Sequence, residues 1–240
     1  QTVHAKEGDV LTLVTKPSSS PAIKLVPGAD PEVSAYFGCS TGISTDGTRC
    51  VVGAWAKDST VGANTGAAYV YRKTDGVWKF EQKLTADTEE VNAYFGQSVA
   101  IDSTGTRLVV GSYAKDSGGS ADSGGIYVFY RASGTTVWEQ EAFLYATDHE
   151  ASAWLGWSVS IDSDGTRIVT GARLEDSGAT DTGSAYVFYR DPASNGWSQE
   201  AKLIASDFEA SAQMGFSVAM HSDGTRVVCG ANKDDAGAAN

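Results

Sequence analysis

One unit is written four times along this chain. Ala35-Tyr36-Phe37-Gly38, Ala93-Tyr94-Phe95-Gly96, Ala153-Trp154-Leu155-Gly156 and Ala212-Gln213-Met214-Gly215 place a glycine at spacings of 58, 60 and 59 residues. A turn follows each, as Ser44-Thr45-Asp46-Gly47-Thr48-Arg49, Asp102-Ser103-Thr104-Gly105-Thr106-Arg107, Asp162-Ser163-Asp164-Gly165-Thr166-Arg167 and Ser222-Asp223-Gly224-Thr225-Arg226. A β-branched run then ends in Gly53, Gly111, Gly171 and Gly230. A fixed period of this length constrains the fold more than local propensity does, because each copy must bury its apolar surface against the next.

Each unit continues through an Asp/Ser/Gly loop into an aromatic strand, Tyr69-Val70-Tyr71, Tyr127-Val128-Phe129-Tyr130 or Tyr186-Val187-Phe188-Tyr189, then into a strand bounded by Trp78/Leu84, Trp138/Leu144 or Trp197/Leu203. That makes four short strands per unit, with no 3.6-residue periodicity. Strands apolar on both faces need cover on both sides, which stacked neighbouring sheets supply. The expectation is an all-β protein, a β-propeller with about four blades of four strands and ~59 residues each. A pair of packed sheets is the competing architecture, but it does not require a repeated unit.

The whole chain, 1–240, reads as one propeller region: a half blade over 8–34, blades over 35–92, 93–152 and 153–211, and a half blade over 212–240. Gly8 to Phe37 is 29 residues, as is Gly66 to Phe95, so Asp9–Leu13 and Ala22–Val26 fit strands three and four of a blade. These would complete the two strands of 212–240 in a closed four-bladed ring. Part of a larger ring, for example seven-bladed, stays open as the alternative. With Gln1 in first place the chain reads as a processed form or an excerpt of a longer precursor.

These motifs resemble the FG-GAP repeat family, found in integrin α-subunit heads and in bacterial and algal surface proteins. Phe37-Gly38 and Phe95-Gly96 match the FG element. Gly53-Ala54-Trp55, Gly111-Ser112-Tyr113, Gly171-Ala172-Arg173 and Gly230-Ala231-Asn232 stand at GAP, each without its Pro, and Leu155 and Met214 replace Phe. The Asp-Gly-Thr turns and Tyr-Val-Phe strands look most like the second, calcium-poor variety. The resemblance implies a propeller interaction or scaffold module at the cell surface or outside the cell, with the periplasm or an organelle lumen as alternatives.

With 30 acidic against 18 basic side chains and a net charge of −12, the chain repels polyphosphate, so no nucleic-acid partner is expected. Apolar runs of five or six residues fall far short of the roughly 20 of a membrane-spanning helix, so no transmembrane segment is expected. Antiparallel succession sends the loops after strands two and four to one rim and the Asp-Gly turns to the other. The first rim holds Asp58, Asp116, Asp176 and Asp235 and the pairs Asp30/Glu32, Asp87/Glu89, Asp148/Glu150 and Asp207/Glu209. They form either a recognition face for a protein or glycan, or a set of loop hydrogen bonds, which their recurrence in every blade favours.

No cofactor and no metal site is expected. Calcium at Asp162-Ser163-Asp164-Gly165 is the minor alternative, since the ion takes roughly six to eight oxygens and Thr166-Arg167-Ile168-Val169 adds no carboxylate. Arg49, Arg107, Arg167 and Arg226 are expected in blade-to-blade ion pairs or backbone contacts. Of the three cysteines, Cys39 and Cys50 are not expected to pair, since the hairpin sets Cys50 opposite Ile43 and Cys39 opposite Ala54. No nucleophile elbow, zinc motif or phosphate loop occurs, so the chain is expected not to be an enzyme and no catalytic residue is assigned. Cys39, Gln97, Trp157 and Phe216 break the symmetry behind the FG glycines; Trp157 and Phe216 suit a central plug or a sugar-stacking pocket. The leading expectation is a binding module with a protein or glycan partner, the second a structural subunit of a large multi-protein assembly, and the third an enzyme with an axial pocket.

Overall fold

The computed structural model describes residues 12–13, 23–27, 32, 34–207 and 209–234. Among them lie sixteen strands and no helix. β1 (Thr12–Leu13) pairs with β2 (Ile23–Lys24). Three antiparallel four-stranded sheets follow in chain order. The first contains β3 (Thr41–Ile43), β4 (Arg49–Ala54), β5 (Ala67–Thr74) and β6 (Val77–Leu84). The second contains β7 (Ser98–Ile101), β8 (Arg107–Ser112), β9 (Gly125–Tyr130) and β10 (Glu139–Leu144), and the third β11 (Leu155–Ile161), β12 (Arg167–Ala172), β13 (Ser184–Arg190) and β14 (Trp197–Leu203). β15 (Met214–Met220) and β16 (Val227–Ala231) end the series.

The core lies between sheets rather than within any one of them. Val51, Val70 and Leu84 of the first sheet pack with Phe95, Leu108, Tyr127 and Trp138 of the second, and Val109, Ile126 and Val128 pack with Leu155, Ile168 and Tyr186. This is why β4 is buried along its whole length. The first strands of successive sheets, β3, β7, β11 and β15, touch in turn.

The two short sheets repeat registers of the four-stranded ones. Thr12↔Lys24 repeats Val70↔Gln82 at an offset of 58, which makes β1 and β2 a third and a fourth strand. Ser217↔Gly230 and Val218↔Cys229 repeat Ser158↔Gly171 and Val159↔Thr170, which makes β15 and β16 a first and a second. Val228 on β16 is 71% exposed, whereas its counterparts Val51, Val109 and Val169 are fully buried.

Glycine makes the blade-to-blade joint. The Ser40, Ser98 and Ser158 hydroxyls each donate to a carbonyl of the next sheet, at Gly96, Gly156 and Gly215, all at 2.8 Å. Those carbonyls lie so close that a Cβ on Gly53, Gly111 or Gly171 would sit 2.0, 2.0 or 1.8 Å from them. FG and GAP glycines are thus the two halves of one backbone contact. Cys50 pairs with Ile43 as the hairpin predicts, and all three cysteines are free thiols. Cys39 is not opposite Ala54, because Gly53 N donates to Ser40 O and Gly38 N to Gly53 O, so the chain bulges there. Burial pushes the Cys50 thiol up to about 12.

The recurrent turn arginines correct a second expectation, since the ion pairs of Arg49, Arg107 and Arg167 run within a blade. Arg49 and Arg72 both bind Glu81 on β6, at 3.1 and 3.2 Å. The link between blades is Trp138, whose Nε1 donates to Glu81 at 2.8 Å. Glu141 repeats the pattern with Arg107 at 2.9 Å and Trp197 Nε1 at 3.4 Å, and adds Arg190 of the next sheet at 2.9 Å. Ile23 stands 58 residues before Glu81, and the buried Trp78 Nε1 has no hydrogen-bond partner among the described residues.

Burial works to raise the Glu141 carboxyl, but Arg107 and Arg190 outweigh it and hold the group below its ordinary 4.5. A depressed folded value means stability present above the unfolded value and lost as pH falls through the folded one. The melting-temperature gap between the wild type and Glu141→Gln is therefore expected to be constant above about pH 5.5. It should close as pH falls below 4.5, and calorimetry across that range checks it.

Candidate functional site

The loop rim carries a line of rings that crosses every sheet joint. Its first component is the residue before each FG-type pair. Tyr36, Tyr94 and Trp154 have φ of 52, 56 and 60°, in the left-handed region that bulky side chains avoid. Such a conformation costs on the order of 1 to 3 kcal/mol and persists where surrounding contacts impose it. Here Tyr94 N donates to Asn64 O of the preceding loop at 3.1 Å, and Gln97 N donates back to Tyr94 O at 3.2 Å. The second component is the residue where the family has the Pro of GAP, namely Trp55, Tyr113 and Arg173. Each leaves the end of a second strand, β4, β8 or β12, on the same rim.

The two sets interleave. Tyr36 stacks on Trp55 with centroids 4.4 Å apart and 21° between planes, and Trp55 meets Tyr94 edge-on at 5.3 Å. Tyr94 stacks on Tyr113 at 5.0 Å and 7°, and Tyr113 reaches Trp154 at 5.0 Å and Trp157 at 5.1 Å. Trp157 continues to Phe216 at 6.0 Å. Arg173 lies over Trp154, Trp157 and Phe216, with its Cζ 4.7, 3.9 and 5.8 Å from their centroids. Tyr36 is 58% exposed, and the other rings of the line are partly exposed. Burial, and then the neighbouring Tyr94, push the Tyr113 phenol up to about 12, so it stays a neutral donor near pH 7. Trp157 and Phe216 therefore belong to a continuous arc that also includes residues quoted only as parts of motifs.

Glu32, Asp58, Glu90, Asp116, Asp148, Glu150 and Asp176 of the same rim are engaged by loop amides or lysines. Glu32 binds Lys57 and accepts from Asp58 N, and the Asp58 carboxylate accepts from Asn64 N at 2.8 Å. In the next loop the partner of Lys115 and Asp116 N is Glu90, which corrects the expected Asp87/Glu89 pair by one residue. Asp116 accepts from Asp122 N at 2.8 Å, Asp176 from Asp181 N at 2.7 Å, and Glu150 from Asp176 N at 2.6 Å. Where Lys57 and Lys115 recur the third loop has Glu175, and Lys202 binds it together with Asp148, at 2.6 and 2.7 Å. Asp30 and Asp235 lie outside the described residues. On the opposite rim Asp102 accepts from Thr106 N and Arg107 N at 2.9 and 3.0 Å, and Asp162 from Thr166 N and Arg167 N at 2.7 and 3.0 Å. These two turn carboxylates are committed to backbone.

The family model of the FG-GAP repeat matches residues 22–71, 78–129, 138–188 and 197–240. The chain belongs to the FG-GAP repeat family. Each match before the last begins near a fourth strand and ends in the third strand of the following sheet, so the FG-GAP unit spans the blade joint that its glycines build. No curated protein matches the chain. Among solved structures, Sqt1 of Saccharomyces cerevisiae is 15% identical, with a TM-score of 0.47 over 73% of this chain and 37% of that one. A putative 6-phosphogluconolactonase from Bacteroides fragilis is 16% identical, with a TM-score of 0.50 over 77% of this chain and 42% of that one. The chain thus spans less than half of either, and the likeness to the second concerns the fold, an all-β array of propeller-like blades.

The second of these structures corrects the expectation that the chain is not an enzyme. A protein of similar fold is described as a lactonase, so missing sequence motifs in a propeller do not argue against catalysis. No group of three or more His, Cys, Asp or Glu placed to hold a metal occurs among the described residues, and no described helix is long and apolar enough to cross a membrane.

Proposed function

We propose that this FG-GAP chain is a protein-binding module whose contact surface is the aromatic arc from Tyr36 to Phe216. The observation that supports this reading is the strained backbone at Tyr36, Tyr94 and Trp154, which holds three large rings on an open rim. A folding-only role would be met by smaller residues there, since Gly and Asn reach the left-handed region at lower cost. Tyr, Trp and Arg are the residues that dominate protein interfaces, where they supply large contact area with few torsions to freeze. The rings are stacked mainly on one another, so the arc offers edges, hydroxyls and one guanidinium. That suits a protein surface better than the open ring faces a sugar needs.

The acidic rim is not the recognition element in this reading, because its repeated carboxylates are held by loop amides and lysines. We place the module outside the cell or at its surface, on the strength of where FG-GAP repeats occur. Site-specific photo-crosslinking tests the surface. A benzophenone side chain replacing Tyr36 is expected to capture a protein from the native extracellular milieu, and one replacing Thr104 on the opposite rim is not. Trp154→Ala should weaken binding of the captured partner by about 2 kcal/mol, roughly thirtyfold. Equal capture from both rims, or binding of glycans on an array with no protein adduct, would refute the assignment.

A further inference from the structure

We propose that Arg173 is the charge-reading centre of the arc and seats a carboxylate of the bound polypeptide. The inference rests on the arc being the docking surface and adds the chemistry that it selects. At the positions equivalent to Arg173 the chain has Trp55 and Tyr113, so the third blade replaces a ring with a cation. Trp154, Trp157 and Phe216 hold that cation in an aromatic cage. Its Nη1 donates to Gln213 Oε1 at 3.1 Å. Gln213 is only 5% exposed and is itself left-handed, with φ 59°, which fixes the amide and through it the plane of the guanidinium.

Among the described residues the outer Nη2 of Arg173 makes no hydrogen bond. Arg173 Nε is buried with no hydrogen-bond partner, and Arg173 makes no ion pair among the described residues. Asp181 acts on it from a distance without contact. Among the described residues Arg226 also lacks an ion pair but is exposed, so Arg173 is the half-buried exception. Arg49, Arg72, Arg107, Arg167 and Arg190 each bind a glutamate, and Arg131 binds the carbonyls of Gly105 and Thr135. An unsatisfied donor beside a desolvated charge is costly, and the outer Nη1/Nη2 edge of the planar fork matches a carboxylate in bidentate geometry. One caged cation suits one carboxylate. A polyanion laid along the rim would meet Asp116, Asp122, Asp176 and Asp181, so a sulfated glycan is disfavoured.

Panning a random-peptide phage library on the immobilised protein tests this. Selected peptides are expected to share an Asp or Glu flanked by apolar residues. Exchanging that acid for its amide should weaken the synthetic peptide at least about tenfold on the wild type and less than about twofold on Arg173→Gln. Acid-free peptides that still depend on Trp154 would overturn the carboxylate assignment and leave the arc standing. Recovery of no Trp154-dependent peptide would remove both. Binding of acidic oligosaccharides that Arg173→Gln abolishes, with no acidic peptide selected, would also overturn it. Should Arg173→Gln fail to fold, the Arg173 Nε–Hε resonance of the wild type gives the same answer. It should move on adding the acidic peptide and stay in place with its amide twin; equal shifts would refute the proposal.

Discussion

Gly111→Ala is expected to destabilise the fold by at least about 3 kcal/mol, a large share of the roughly 5–15 kcal/mol that holds a typical domain. The added methyl would lie 2.0 Å from the Gly156 carbonyl oxygen and 2.2 Å from the Ser98 hydroxyl that donates to it. No rotamer relieves this, because the obstructing atom is backbone of the next blade. Gly156 cannot retreat either, since its φ is 94° and its own Cβ position faces Gly125 O at 2.4 Å. The blades must separate, exposing the Val109, Leu155 and Ile168 packing between them. Gly76→Ala is the matched control. Its φ of 79° is left-handed, unlike that of Gly111, but nothing lies within 4 Å of the new Cβ, so only backbone strain of about 1 kcal/mol is expected. Urea midpoints with unchanged slopes measure both. Equal losses would mean that the close approach of FG and GAP glycines is not what joins the blades.

Glu81→Ala should cost about 3 to 5 kcal/mol. The carboxylate is 2% exposed and takes Arg49 at 3.1 Å, Arg72 at 3.2 Å and Trp138 Nε1 at 2.8 Å. Its removal leaves a mostly buried guanidinium without its counter-charge and an indole N–H of the neighbouring blade without an acceptor. Glu81→Gln keeps an acceptor for one donor and should recover part of the loss. Glu200→Ala is the contrast. That glutamate pairs with Arg167 alone and is 39% exposed, so the change should stay within about 1 kcal/mol. Thermal unfolding of the three variants ranks them. If Glu200→Ala proves as damaging as Glu81→Ala, the Trp link between blades carries no stability.

Much of this architecture was legible in the chain because its determinants are local and repeated. Alternating apolar strands, Asp-Gly turns and a period near 59 residues specify a four-stranded unit, and strands buried on both faces demand that units stack. The FG and GAP glycines stood out for the same reason, although their purpose as paired backbone contacts is visible only once Gly53 lies on Gly96. The arc was not legible as a site. Tyr36, Tyr94, Trp55 and Tyr113 were all in view as motif residues or departures from the family pattern, yet nothing within one repeat says that Trp55 touches Tyr94 or that Arg173 enters a cage built by Trp154, Trp157 and Phe216. The loop acids show a related limit. Thr88-Glu89-Glu90 offers adjacent carboxylates, and only the placement of Lys115 selects Glu90.

The division has a physical cause. Burial pattern and turn chemistry act over a few residues, so the sequence alone determines what each blade is and that blades follow one another. Contacts between blades join residues far apart in the chain, 39 positions for Trp55 with Tyr94 and 57 for Glu81 with Trp138. They depend on the angle and offset at which one sheet lies on the next. That offset is set by the summed packing of whole faces, and only the tertiary structure decided which rings, charges and donors it brought together.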